Sequence, residues 1–263
     1  MGDFTGTRAV VTGAAAGIGR ATAALLARRG AAVIAIDRDA EVGTLPGEAA
    51  REGGRVEAVT ADLAAKRDLD GLITRISGLP DLHTLVNCAA AYPPRGGFPD
   101  TSVDDWDRIL RVNITAMGVL STAAARRMRA AGHGGAIINV GSVQEVLPVP
   151  GYGPYVTTKG AITAATSALA VELGGTGVRV NCVAPGVINT PSTRNTLDGR
   201  LWGEENAPPT LLGRAGTPDE VAEVVAFLAG DGASFVHGAV VPVDGGRRLS
   251  RRADPLGDAE AAW

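Results

Sequence analysis

Residues 151–159 read GYGPYVTTK, which sets two phenols, Tyr152 and Tyr155, just ahead of one ammonium, Lys159. A phenol has a reference pKa of about 10, too high for a base at neutral pH. A nearby ammonium stabilises the phenolate and lowers that value, so a Tyr–Lys pair is an acid/base device. Two pairings compete. Tyr155 and Lys159 are spaced i, i+4, one turn apart on one helix face. Tyr152 precedes the lysine by seven residues. Pro154 bears on the choice, because proline is tolerated only near a helix start. A helix beginning at about residue 154 contains Tyr155 and Lys159 and leaves Tyr152 in front of it.

A second set of residues suits a phosphate-bearing ligand. TGAAAGIG (12–19) carries Gly13, Gly17 and Gly19, with Ala16 and Ile18 between them. It follows the first apolar run and opens a helical pattern. Such a turn brings backbone N–H groups and a helix N-terminus against a pyrophosphate. Asp37 ends the second apolar run. A carboxylate there accepts hydrogen bonds from adenosine ribose hydroxyls and repels a 2′-phosphate, which favours NAD. Arg38 follows at once and argues for NADP, whereas Ala16 offers no basic side chain for the extra phosphate. NAD is the expected cofactor and NADP the disfavoured alternative.

The elements that must position these groups alternate along the chain. Strand candidates lie at 8–12, 32–37, 55–61, 83–87, 136–140, 178–184 and 239–243. Helix candidates lie at about 17–29, 40–53, 66–77, 104–131, 154–173 and 217–229. Near-continuous apolar strands separated by helices indicate a parallel sheet covered on both faces. The expected fold is α/β: one Rossmann-like doubly wound domain over residues 1–247, with a seven-stranded parallel sheet. The interval 186–216 breaks the pattern and reads as a substrate lid. Residues 248–263 read as a C-terminal tail.

The bulk properties exclude several classes. The 263 residues are 45% hydrophobic and carry a net charge of −3. No basic stripe marks a nucleic-acid or membrane-surface protein, and the Arg cluster at 247–252 reads as a solvated tail. Cys88 and Cys182 each end an apolar run and read as buried free thiols. No metal-ligand spacing occurs. With neither a secretory signal pattern nor a run of about 18 apolar residues, a cytoplasmic protein is expected.

Taken in order, the motifs resemble the short-chain dehydrogenase/reductase superfamily, over roughly residues 4–247. TGAAAGIG matches its cofactor turn, Asp62-Leu63 its adenine contact, and VNCAA (86–90) its VNNAG-like segment. Asn87 keeps the first Asn of that segment; Cys88 and Ala90 depart from it, and Ala89 lies between them. RVN (111–113), INVGS (138–142) and YVTTK (155–159) match the segments that supply the catalytic residues, here Asn113, Ser142, Tyr155 and Lys159. VAPGVINTP (183–191) matches the loop over the nicotinamide, with Pro185, Gly186, Ile188 and Thr190. The resemblance implies hydride transfer between a nicotinamide and a secondary alcohol or ketone, with Tyr155 as acid/base. It also implies that Ser142 holds the substrate oxygen, Lys159 bonds the nicotinamide ribose, and Asn113 holds a relay water. Relatives are commonly homotetramers that use their last helix and strand, here 217–229 and 239–243.

Three readings of the activity remain in view. SVQEVLPVP (142–150) and GVINTP (186–191) look like glucose dehydrogenases, which makes Gln144 and Glu145 polar substrate contacts. Trp202, Leu201, Leu211 and Leu212 suit a bulkier, less polar ketone or alcohol. The Tyr152–Lys159 spacing is that of enoyl reductases; Ser142 and the unaltered glycine turn weigh against that pairing, and Tyr152 is then a pocket residue. A dinucleotide-sensing protein on the same fold would usually lack Tyr155 or Lys159.

Overall fold

The computed structural model describes residues 3–94, 96–196 and 208–251. Trp202 and Leu201, expected in the lid, lie outside the described residues. Seven strands form one sheet: β1 Arg8–Thr12, β2 Ala32–Asp37, β3 Arg55–Thr60, β4 Leu82–Asn87, β5 Gly135–Val140, β6 Val178–Pro185 and β7 Val240–Val243. Their order is β3-β2-β1-β4-β5-β6-β7, and every neighbouring pair is parallel. The chain reverses its direction of winding between β1 and β4. That switch opens a crevice at the carboxyl ends of the strands, where ligands of such folds bind.

Strand residues alternate between two buried faces, as a period of two requires. Ala9, Val11, Val33, Ile138 and Val183 pack against helices α1 (Gly17–Arg28) and α8 (Pro218–Ala229). Val10, Ile34, Leu85, Ile137 and Val180 pack against α3 (Lys66–Ser77) and α5 (Ala116–Ala131). Helix α6 (Gly153–Glu172) lies on the second face beside β6. The expected three-layer fold is the observed one.

Two expected helices are divided. The 40–53 segment is a 3₁₀ turn, Ala40–Thr44, followed by α2, Leu45–Arg51. Asp39 caps the turn, and Pro46 suits the start of a new helix. The 104–131 segment is α4 (Val103–Leu110), a π-helical turn at Arg111–Thr115, and α5. Ser102 and Asp105 close a reciprocal capping box at the front of α4. π turns concentrate at functional sites, and this one carries Asn113.

One member of the C-terminal Arg cluster departs from the solvated reading, while Arg248 and Arg251 are exposed as expected. Residues Arg247–Leu249 form a 3₁₀ turn after Gly246, and Arg247 is buried at 8% exposure. Arg248 pairs with Asp244 at 3.6 Å. Of the thiols, Cys182 is buried while Cys88 is only half-buried; both are free. Among the described residues no helix is long and apolar enough to cross a membrane.

Candidate active site

A cleft of about 620 Å³ runs across the carboxyl ends of the strands. Its floor is the glycine turn. A Cβ on Gly13 would come within 2.7 Å of the Ala89 backbone, and one on Gly19 within 2.1 Å of Gly13 O. Only glycine permits this packing of β1, α1 and the segment after β4. Thr12 fastens it, its Oγ1 accepting the N–H groups of Cys88 and Ala89 at 3.1 and 3.2 Å. Helix α1 starts at Ala16 with no side-chain cap and no acid in its first turn. Its first N–H groups are thus presented to the cleft as an anion site.

Asp37 is held ready at the far side. Its Oδ2 accepts Ala15 N–H at 2.9 Å and its Oδ1 accepts Asp39 N–H at 3.0 Å. Arg38 is exposed at the same rim. A smaller recess of about 90 Å³ adjoins, lined by Ile36, Asp37, Asp62, Leu63, Arg108 and Val112 among others. Asp62 takes Ala64 N–H at 2.9 Å and the Arg108 guanidinium at 3.3 Å. The opposite wall is the loop after β6. Gly186 packs on Asp244, where a Cβ would sit 2.7 Å from Cα, and Ile188 bridges to Gly216. Thr190 faces the glycine turn, 3.2 Å from where a Cβ of Gly17 would lie. Pro185, Gly186, Ile188 and Thr190 all line the cleft. A dinucleotide fits this cradle: tight glycine floor, uncapped helix end, and a carboxylate already oriented by two backbone donors.

At the other end stand the groups with proton chemistry. Helix α6 starts at Gly153 with Pro154 in its first turn, and Tyr152 precedes it as N-cap residue. Tyr155 and Lys159 share its inner face, both buried. The Lys159 Nζ lies 5.2 Å from the Tyr155 ring centroid and donates to Val140 O at 2.7 Å. Ser142 follows β5, and its Oγ accepts Gln144 N–H at 3.1 Å. That acceptance leaves the Ser142 proton to be donated, and the hydroxyl lies near enough to Tyr155 to favour its phenolate. Gln144 lines the cleft with a buried Oε1 that has no partner among the described residues. Glu145, expected beside it, instead takes the Thr163 hydroxyl. Leu211 and Leu212 are exposed, and neither lines the cleft.

Two asparagines face inward. Asn113 Oδ1 accepts Ala91 N–H at 2.7 Å, while its Nδ2 donates to Ala91 O and to Thr158 Oγ1, both at 3.0 Å. Its amide thus clamps the segment after β4 to α6. Asn87 donates to Ser121 Oγ at 3.0 Å and to Asn139 Oδ1 at 2.9 Å, and Asn139 donates on to Thr166. The Asn87 side chain is therefore turned into the core rather than the cleft.

Sequence reasoning missed Tyr92. Its ring stacks on Tyr155 with centroids 4.7 Å apart and planes 16° from parallel. Its hydroxyl lies toward those of Tyr155 and Ser192, each of which influences its proton affinity. Tyr152 meets Tyr155 edge-on at 6.5 Å. The available signal was position: Tyr92 lies just beyond β4, at the topological switch. Arg247 was missed too, and it lines the cleft.

Burial dominates the proton affinities. It pushes the Tyr155 phenol up to about 12, against the lowering effect of bonds from Tyr92 and Ser142. The same burial pushes the Lys159 ammonium down. The expectation that Lys159 sets a low Tyr155 pKa thus meets a larger opposing effect, desolvation of the phenolate. Cys88 is likewise raised by burial, to about 11. Among the described residues no cluster could hold a metal ion.

Three comparisons place the chain among known proteins. Residues 13–248 match the family model described as enoyl-(acyl carrier protein) reductase. The cyclopentanol dehydrogenase of Comamonas sp. (strain NCIMB 9872) is 39% identical over 248 residues, 94% of this chain and 98% of the relative. The cis-4-hydroxycyclohexanecarboxylate dehydrogenase of Sinomonas cyclohexanicum is 38% identical over 250 residues, again 94% and 98%. A crystal structure assigned to an NAD(P)-dependent gluconate 5-dehydrogenase of Beutenbergia cavernae, with NADP bound at low occupancy, superposes with a TM-score of 0.87. It is 37% identical and covers 94% of this chain and 99% of its own. With this sheet, this cleft and these relatives, the chain belongs to the short-chain dehydrogenase/reductase superfamily of NAD(P)-dependent oxidoreductases acting on CH–OH groups.

Proposed function

We propose that the protein is an NAD-linked dehydrogenase of ring-borne secondary alcohols, with Tyr155 as its acid/base. One observation carries the reading: Tyr155 stands over the Lys159 ammonium, with Ser142 beside it, at the inner end of a dinucleotide cleft. NAD⁺ bound in that cleft supplies the hydride acceptor. The residues then divide the remaining work. Ser142 donates to the alcohol oxygen and fixes the carbinol carbon toward the nicotinamide end. Tyr155 takes the hydroxyl proton as the C–H hydride departs, and a C=O results. Lys159, anchored on Val140, steadies the phenolate and would help hold the ribose of a bound nicotinamide nucleotide. Asn113 acts through the clamp it makes between Ala91 and Thr158. In ketone reduction each step runs backwards, with Tyr155 giving its proton up.

Asp37 supports NAD over NADP, since a carboxylate at the end of β2 repels a 2′-phosphate. Arg38 and the NADP seen in the gluconate-type neighbour weigh the other way. The apolar lining from Val143, Leu147 and Tyr152 supports a compact ring over a polyol, with Gln144 as one polar contact. The two ring-alcohol relatives support the same class. Exposed Phe227 on α8 and Phe235 before β7 support self-association, in a homotetramer of the kind common in the superfamily.

The test is an NADH absorbance assay with cyclopentanol, cis-4-hydroxycyclohexanecarboxylate and gluconate, each with NAD⁺ and with NADP⁺. Turnover of the ring alcohols with NAD⁺ is expected. Turnover of gluconate alone would move the assignment to sugar-type substrates, and sedimentation would settle the assembly.

A further inference from the structure

The chain contains three tyrosines, and all three meet at one point. Tyr155 is the centre, Tyr152 touches its edge, and Tyr92 covers its face. The Tyr92–Tyr155 stack is close, at 4.7 Å and 16°. The mount of Tyr92 is rigid for a loop residue. Both backbone groups of its neighbour Ala91 are held by the Asn113 amide, at 2.7 and 3.0 Å. With the rings stacked at 16°, its hydroxyl lies toward that of Tyr155, and Ser192, at the start of α7 (Pro191–Thr196), stands on its other side.

We propose that Tyr92 is a positioning residue for the acid/base tyrosine: its ring fixes the Tyr155 ring, and its hydroxyl donates to the Tyr155 oxygen and stabilises the phenolate formed when a proton is due to be accepted. The proposal rests on the reading of Tyr155 as proton acceptor. The groups facing Tyr155 are Ser142 after β5, Cys88 and Tyr92 after β4, and Tyr152 and Lys159 around α6. Cys88 and Tyr152 oppose a phenolate and Ser142 and Tyr92 favour it, while the Lys159 ammonium, 5.2 Å from the ring, attracts one by its charge. The two phenols do not compete for the role of base. A charge on Tyr155 is the largest influence holding the proton on Tyr92, so Tyr92 remains a donor once Tyr155 is ionised.

The test uses the full chain and Tyr92→Phe, which keeps the stack and removes the donor, with Tyr92→Leu removing both. Two readouts are taken. One is the pH profile of kcat/KM for cyclopentanol oxidation with NAD⁺. The other is ultraviolet titration of phenolate absorbance with NAD⁺ bound, which reports on this cluster alone because the chain has no other tyrosine. Hydrogen bonds to charged groups contribute about 1.5–3 kcal/mol, so Tyr92→Phe is expected to displace the ascending limb and the first phenolate midpoint to higher pH, read as a roughly 10–100-fold lower kcat/KM at a fixed alkaline pH. Tyr92→Leu is expected to match that shift and to lower kcat further, with the KM for NAD⁺ unchanged in both. A Tyr92→Phe profile and midpoint superimposing on the wild type would overturn the proposal. If the wild type oxidises no alcohol, the assignment of the enzyme fails, and the phenolate midpoint of Tyr92→Phe still decides the role of Tyr92.

Discussion

Lys159 sits one helical turn beyond Tyr155, yet its ammonium bonds to Val140 O, at the end of β5, and not to the phenol. The lysine acts on Tyr155 across 5.2 Å, as a charge over the ring. A fixed charge of this kind can steady a phenolate without occupying the oxygen that must exchange a proton with substrate. Tyr155→Phe is therefore expected to lower kcat for alcohol oxidation by about 10²–10⁴-fold while leaving the Kd for NAD⁺ within about twofold. Tyr152→Phe should keep most of the rate. If instead Tyr152→Phe alone abolished turnover, the enoyl-reductase pairing would replace this one.

The proton affinity of Tyr155 fixes the sign of the pH dependence. Burial holds the phenol up, at about 12, so at neutral pH it carries its proton. Ketone reduction uses that proton and should be fastest at neutral pH, falling as pH rises. Alcohol oxidation needs the phenolate and should climb through the alkaline range. Steady-state rates in both directions on one preparation check this, and parallel slopes would contradict it.

Cofactor choice follows from Asp37, whose two oxygens are preset by Ala15 and Asp39. The kcat/KM with NAD⁺ should exceed that with NADP⁺ at least tenfold. Asp37→Ser should lose about 10–100-fold with NAD⁺, the range for hydrogen bonds to a charged group, and narrow the gap to NADP⁺. A wild type that prefers NADP⁺ would show that Arg38 governs the rim.

Two glycine substitutions should diverge. In Gly19→Ala the new Cβ would lie 2.1 Å from Gly13 O, so the floor of the cleft must open. Loss of measurable NAD⁺ binding and a lower Tm are expected. In Gly118→Ala, inside α5, nothing lies within 4 Å of the new Cβ. There the gain in helix propensity should raise stability by about 0.5–1 kcal/mol. Calorimetry and NAD⁺ titration of the two variants provide the check.

The parts of this architecture legible in the sequence are those that repeat a local rule. Strand alternation, the glycine turn and the proline before Tyr155 each speak through a few adjacent residues. What stayed hidden depends on distant neighbours. Tyr92 lies in AYPPRGG, a stretch without periodicity, and its importance comes from a ring 63 positions further on. Asn87 keeps a motif position, but Asn139 across the sheet turns its amide inward. The 40–53 and 104–131 helices read as continuous because a turn of slightly different pitch hardly disturbs an apolar pattern.

The π turn at Arg111–Thr115 amounts to one extra residue wound into an otherwise regular helix. It lets a single rod present two unrelated faces: Arg108 and Val112 toward the small recess, Leu120, Ala124 and Met128 toward the sheet. Removing one residue there would restore an ordinary α-helix with its two halves still in register, because the wide turn already absorbs that residue. Removing one just inside α5 would instead turn everything beyond it by roughly 100° and swing Leu120 and Met128 off the core together. A deletion scan along 103–131 is therefore expected to show its best-tolerated deletions within the π turn and sharp intolerance inside α5.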